Sequence, residues 1–127
     1  MPIGFIEGKE LAALLRGPEK ASTCVLDVRD ADFAGGHIPG VLNIWSDEFA
    51  GDDSVDSIIK QHAFTQYKMI VVTCFMSQQR GPSCARRVDS RLEMLNDPGR
   101  PAVKVLYGGM RKFKQDYAGQ PDLLEDC

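Results

Sequence analysis

The sequence predicts one α/β domain over residues 1–127, with a mostly parallel sheet covered by helices on both faces. Short apolar runs typical of buried strands alternate along the chain with segments whose apolar residues recur at helical spacing. No repeat or long linker divides the chain, and its length suffices for one hydrophobic core. Because ligands of such sheets bind at the carboxyl ends of the strands, we expect a functional site at that edge.

The first half of the chain contains two predicted helices and two predicted strands. In chain order they are a helix at Lys9–Arg16, strands at Cys24–Val28 and Val41–Ile44, and a helix at about Ser54–Phe64. Within each helix the apolar residues are three or four positions apart, which places them on one buried face. Gly17-Pro18 ends the first helix, because proline cannot continue it.

The second half repeats the alternation. It contains a strand at Met69–Val72, a helix beginning at about Ser83, a strand at Ala102–Tyr107 and a last helix that carries Met110, Phe113 and Tyr117. The third helix is expected to bury a stripe formed by Cys84, Val88, Leu92 and Leu95. Asp97–Pro101 ends that helix, and Gly108-Gly109 predicts a tight turn before the last one.

A cysteine and an arginine follow the strand at Met69–Val72. Cys74 stands at its end, Arg80 comes six positions later, and the helix begins at about Ser83. Main-chain amides of this loop and helix N-terminus, together with the arginine, suit an oxyanion that a thiolate can attack. The same groups are expected to favour the thiolate over the thiol. A buried structural cysteine beside a surface arginine is the alternative.

Composition excludes several classes of function. The net charge of −3 and the pI near 5.3 argue against a nucleic-acid partner. No apolar stretch approaches the roughly 20 residues that span a bilayer, so no membrane partner is expected. Four cysteines without disulfide patterning favour a reducing compartment, cytoplasmic or nuclear. His37 has no second ligand at metal spacing, and we expect neither a metal nor a bound cofactor.

Two segments flanking the cysteine loop resemble rhodanese-fold domains. The first is LDVRDADFAGGHIPGVLNI, from Leu26 to Ile44, and the second is VLYGGM, from Val105 to Met110, followed by Phe113. They stand in the family's order and cover most of the chain. The resemblance implies a rhodanese-like α/β fold with a central, mostly parallel five-stranded sheet and helices on both faces. It also implies that Asp27 and Arg29 form a structural pair beneath the site.

The length of the loop is similar to that of one branch of this family, the cell-division-cycle-type dual-specificity phosphatases and eukaryotic arsenate reductases. Ser77–Ser83 resembles the small fungal and plant single-domain members in particular. The resemblance implies a nucleophile at Cys74 and an oxyanion clamp at Arg80. The implied oxyanion cradle consists of Phe75, Met76, Ser77, Gln78, Gln79 and Arg80. Thr73 stands where this branch normally has a histidine.

The leading functional hypothesis is a thiol-dependent phosphatase that forms a phosphocysteine on phosphotyrosine-type or other aryl phosphate esters. The alternative is an arsenate reductase using the same cysteine, with glutathione as reductant or Cys84 as a second thiol. Thiosulfate sulfurtransfer and a catalytically silent interaction module are weaker alternatives. The loop carries no carboxylate, so a general acid has to come from elsewhere. The candidates near the end of the chain are Asp116, Asp122, Glu125 and Asp126.

Overall fold

The computed structural model describes residues 3–125 and contains a five-stranded sheet in which every strand pairing is parallel. The strands are β1 (Gly4–Ile6), β2 (Thr23–Asp27), β3 (Leu42–Asn43), β4 (Met69–Thr73) and β5 (Ala102–Leu106). Their spatial order is β1-β5-β4-β2-β3, which places β4 at the centre. The predicted fold class and strand number are confirmed.

Four α-helices cover the two faces of the sheet. They are α1 (Gly8–Leu15), α2 (Asp52–Gln61), α3 (Arg80–Met94) and α4 (Gly109–Tyr117). Successive strand side chains point to opposite faces, so Ile70 and Val72 of β4 pack with α2 and α3 while Val71 packs with α1 and α4. Two hydrophobic cores result, one on each side of the sheet. Within residues 3–125 no helix has the length and apolarity needed to cross a bilayer.

One strand was missed and two predicted details were wrong. Strand β1 was not predicted, because it has only three residues at the sheet edge and buries only Ile6, too little for a strand pattern. Helix α3 begins at Arg80 rather than at about Ser83, since Pro82 is tolerated in the first helical turn. Leu95 lies beyond the helix end and is 55% exposed instead of joining the buried stripe.

The sheet brings the ends of β2 and β4 side by side. Asp27 is paired with Thr73 in the register of these strands, and the Val28 amide donates a hydrogen bond of 2.8 Å to the Thr73 carbonyl. The chain leaving β4 at Cys74 therefore runs next to the chain leaving β2. This neighbourhood at the carboxyl edge of the sheet contains the candidate site.

Candidate active site

The Cys74 thiol is buried and receives two main-chain hydrogen bonds. Only 3% of the residue is exposed, directly after the central strand β4. Its Sγ accepts from the amide of Ser77 at 3.2 Å and from the amide of Gly81 at 3.3 Å. N–H groups that converge on one atom stabilise negative charge there. The loop and the first turn of α3 thus form a cradle for a thiolate or for an anion bound beside it.

Ser77 folds the loop beneath the thiol. Its φ of 55° lies in the left-handed region, which turns its amide toward Cys74. Its hydroxyl lies 3.5 Å from the Cys74 amide and 3.4 Å from the Thr73 hydroxyl. The Thr73 hydroxyl donates to the Cys74 carbonyl at 3.0 Å. Thr73, which occupies the histidine position of the resembled branch, therefore braces the start of the loop.

The N-terminus of α4 holds the loop from the other side. The amides of Met110 and Arg111 donate to the carbonyls of Cys74 and Phe75 at 2.9 and 2.8 Å. Gly109 has a φ of 62°, and a Cβ at this position would lie 2.7 Å from the Cys74 carbonyl oxygen. Only glycine allows so close an approach of the two backbones. The predicted glycine turn therefore positions the cysteine loop directly.

Arg80 makes a bidentate ion pair with Asp32. Its Nη1 and Nη2 donate to Oδ1 and Oδ2 at 3.0 and 2.7 Å, and Nη1 lies 3.5 Å from Oδ1 of Asp30. The hydrogen bonds from Arg80 lower the pKa of Asp32 from 3.8 to about 2, and Asp32 in turn raises the pKa of Arg80. Asp32 is therefore ionised at neutral pH and occupies the groups of Arg80 that would bind an oxyanion.

Arg29 fixes the segment that carries Asp32. Its side chain and that of Asp27 are fully buried, and Nη2 donates to Oδ2 of Asp27 at 2.7 Å. The same guanidinium donates to the carbonyls of Gly36 and Asp32 at 3.0 and 3.2 Å. The Asp27 carboxylate is engaged by Arg29, so the pair acts as an internal brace for the turn from 30 to 36.

The loop residues and Asp32 surround one pocket of about 420 Å³. Its walls are formed by Asp32, Cys74, Phe75, Met76, Gln78, Gln79 and Arg80. The structure thus brings together all the cradle residues indicated by the sequence except Ser77, which lies buried beneath the thiol. Asp32 was missed. The available signal was that Asp32 follows β2, a strand that ends at the same edge of the sheet as β4. The sequence does not show that β2 and β4 are neighbours, so this signal could not be used.

The candidate acids near the end of the chain have other partners. Asp122 pairs with Arg16 at 2.6 Å, Asp116 pairs with Lys112 at 3.1 Å, and Glu125 lies 2.9 Å from the His37 ring. None of these three carboxylates lines the pocket. Asp126, the fourth candidate, lies outside the described residues, as does Cys127.

Cys84 lies in the second turn of α3 and is buried. Burial, and secondarily the charge of Cys74, raises the pKa of its thiol to about 12. Its Sγ is 3.9 Å from the Ser46 carbonyl, to which it can donate a weak hydrogen bond. The thiol form therefore dominates at neutral pH, and a role as second thiol stays a prediction. Within residues 3–125 no cluster of three or more histidine, cysteine or acidic side chains is arranged to hold a metal.

The sequence and the structure of this chain are similar to those of known proteins. The family model of the rhodanese-like domain matches residues 7–116. Dual specificity phosphatase ibp1 of Schizosaccharomyces pombe is 33% identical over 88% of each chain. Dual specificity phosphatase Cdc25 of Arabidopsis thaliana is 32% identical over 94% of this chain and 77% of its own. The structure of the As-Sb reductase from Leishmania major is 28% identical, with a TM-score of 0.86 over 98% of this chain and 86% of that one.

Proposed function

This chain belongs to the rhodanese-like domain family, and on that premise we propose that it is a cysteine-dependent phosphatase acting on aryl phosphate monoesters such as phosphotyrosine. One observation carries the proposal: the Cys74 sulfur lies under two converging amides in a loop that ends at Arg80. Two relatives that are more than 30% identical, both named as dual specificity phosphatases, support it.

The reaction has two displacement steps at phosphorus. The Cys74 thiolate attacks phosphorus as the bond to the leaving-group oxygen breaks, which forms a phosphocysteine. Water then attacks the phosphocysteine, releases inorganic phosphate and restores the thiolate. In both steps the amides of the loop from 75 to 80 and the Arg80 guanidinium bind the non-bridging oxygens, where negative charge accumulates.

The choice of an aryl ester follows from the state of Asp32. While Arg80 holds it, its pKa of about 2 keeps the carboxylate ionised, so it cannot donate a proton to the leaving group. A phenolate departs with little protonation, whereas an alkoxide needs an acid. When a substrate phosphate takes over Arg80, Asp32 becomes the nearest candidate acid, but it enters the complex ionised and would first have to bind a proton, a step that an aryl ester does not require.

Arsenate reduction is the second candidate. It is favoured by the reductase relative and by the pocket lining within residues 3–125, where the one carboxyl group, that of Asp32, is ionised. Cys74 would displace hydroxide from arsenic to form a thio-arsenate. A glutathione thiolate would attack the Cys74 sulfur, so that the As–S bonding pair stays on arsenic and reduces it to arsenite. A second glutathione would release Cys74 as glutathione disulfide forms. The buried Cys84 favours glutathione as the reductant.

Parallel kinetics on para-nitrophenyl phosphate, on arsenate with glutathione and on thiosulfate distinguish these activities. We expect the wild type to release phosphate and Cys74→Ser to release none. Cys24→Ala is the control and should keep the activity, because Cys24 is a buried thiol outside the pocket. Equal hydrolysis by wild type and Cys74→Ser would disprove the phosphatase. Turnover with arsenate alone would establish the reductase, turnover with thiosulfate alone a sulfurtransferase, and inactivity with all three an interaction module. Circular dichroism of each variant checks its folding.

A further inference from the structure

A second cavity adjoins the catalytic pocket. It has a volume of about 330 Å³ and is lined by Met76, Gln78, Gly108, Arg111, Lys112 and Gln115. Met76 and Gln78 also line the catalytic pocket, so the two cavities share a wall formed by the loop. A substrate held at Cys74 can therefore extend past this wall into the second cavity, whose other side is α4.

Arg111 supplies a cation to this cavity without a partner of its own. Its side chain is exposed, and among residues 3–125 its guanidinium makes neither a hydrogen bond nor an ion pair. By contrast, Arg16, Arg91 and Arg100 each pair with an aspartate. In a chain with a net charge of −3, an unpaired arginine beside a concave pocket marks a place where an external anion would be favoured.

The position of Arg111 is coupled to the catalytic loop. Its amide donates to the Phe75 carbonyl at 2.8 Å, so the residue that carries the charge is anchored one peptide away from Cys74. Lys112 adds a second cation. Its pairing with Asp116 at 3.1 Å joins two side chains that are each nearly half exposed, so an incoming anion can displace it at little cost. Gln78 and Gln115 add neutral donors.

We propose that this cavity is a subsite for a second negative charge on a phosphopeptide substrate, a carboxylate or a second phosphoryl group next to the phosphotyrosine. The inference rests on the phosphatase activity proposed above and adds its substrate class. The subsite selects acidic phosphopeptides over neutral ones, because Arg111 can form charge-assisted hydrogen bonds with the second anion.

The test compares three phosphotyrosine peptides of equal length, in which the flanking residues are alanine, aspartate or phosphoserine. The readout is the ratio of kcat/KM for each anionic peptide to that for the alanine peptide. We expect Arg111→Gln to lower this ratio about 3- to 10-fold, as for the loss of a partly exposed charge-assisted contact. Arg111→Lys should retain most of it. Arg86→Gln is the matched control, since Arg86 is exposed, has no partner in the described part of the chain and lines neither cavity.

Equal ratios for wild type and Arg111→Gln, or equal losses in Arg111→Gln and Arg86→Gln, would overturn the subsite. The phosphatase proposal would still stand if Cys74-dependent hydrolysis of para-nitrophenyl phosphate persists. Binding of the same peptides to Cys74→Ser, measured by calorimetry, tests the subsite without turnover. If Cys74→Ser binds the anionic peptides more tightly than the alanine peptide, and Arg111→Gln removes this preference, the subsite is supported even if hydrolysis fails. If there is no preference, the subsite is overturned. If Arg111→Gln lowers the ratio more for the aspartate peptide, the second anion is a carboxylate. If it lowers the ratio more for the phosphoserine peptide, the second anion is a phosphoryl group.

Discussion

The guanidinium of Arg80 and the carboxylate of Asp32 form a bidentate pair of 2.7 and 3.0 Å in the wall of the Cys74 pocket. Arg80 is the residue that would hold a substrate oxyanion, and Asp32 presents a carboxylate to the same N–H groups. Binding of an oxyanion therefore requires that the pair opens. The pair lies at the surface, with side-chain exposures of 33% and 38%, so water can stabilise both charges as they separate.

Removal of this competing carboxylate should strengthen oxyanion binding. We expect Asp32→Asn to lower the inhibition constant of tungstate about 3- to 10-fold, because an amide competes for Arg80 less strongly than a carboxylate does. Competitive inhibition of para-nitrophenyl phosphate hydrolysis measures it. Asp30→Asn is the matched control, since Asp30 makes only a 3.5 Å contact with Arg80. Weaker tungstate binding by Asp32→Asn would show that Asp32 helps to position Arg80 rather than competing for it.

The same pair should make stability depend on pH in acid. The folded-state pKa of Asp32 is about 2, below its ordinary value of 3.8, so its contribution is present above about pH 4 and lost as pH falls through 2. We expect the difference in unfolding free energy between wild type and Asp32→Asn to be constant above pH 5 and roughly halved near pH 3. Urea unfolding at several pH values measures it. A difference that does not change with pH would contradict the assigned shift.

Gly109→Ala should displace the loop that carries Cys74. The new Cβ would collide with the carbonyl groups of Cys74 and Phe75, and the positive φ adds backbone strain. We expect kcat/KM for aryl phosphate to fall by at least about 100-fold, as for a misplaced catalytic group. Gly119→Ala separates the two effects, because Gly119 also has a positive φ but faces open space. Equal activity of the two variants would exclude the collision as the cause.

Arg29→Met should strongly destabilise the fold. It leaves the Asp27 charge buried without a counter-ion, which costs about 3–5 kcal/mol in the free energy of unfolding. Arg16→Met, which breaks the exposed pair with Asp122, should cost far less, because water screens both charges. Urea denaturation compares them. The double variant Asp27→Leu/Arg29→Met removes both charges and should recover part of the loss; no recovery would assign the cost to lost packing instead.

Two of the buried thiols should resist alkylation. Burial raises the pKa of both Cys24 and Cys84 to about 12, so almost no thiolate is present near neutral pH. We expect iodoacetamide at pH 8 to leave both residues unmodified in the native protein and to modify both in urea, as measured by peptide mass spectrometry. Native-state modification of Cys84 at its unfolded rate would contradict its burial and would revive its role as a second thiol.

The local parts of this molecule were predictable from the sequence. The apolar run of Met69–Val72, the cysteine at its end and the Gly108-Gly109 turn each depend on a few consecutive residues, and the structure has them where they were predicted. The rhodanese resemblance supplied the fold and the number of strands, which the short β1 does not reveal by itself. The start of α3 was wrong because proline is compatible with a loop and with a first helical turn alike.

The sequence by itself determined the order of four strands and four helices and the position of Cys74 and Arg80 after the central strand, because periodicity, turn residues and residue spacing act over a few positions. The tertiary structure decided what meets that loop. Asp32 reaches Arg80 from 48 positions away because β2 lies next to β4, and Arg111 borders the loop because α4 follows β5 on the other side of β4. These approaches depend on strand order and backbone hydrogen bonds between distant segments, which no local pattern encodes.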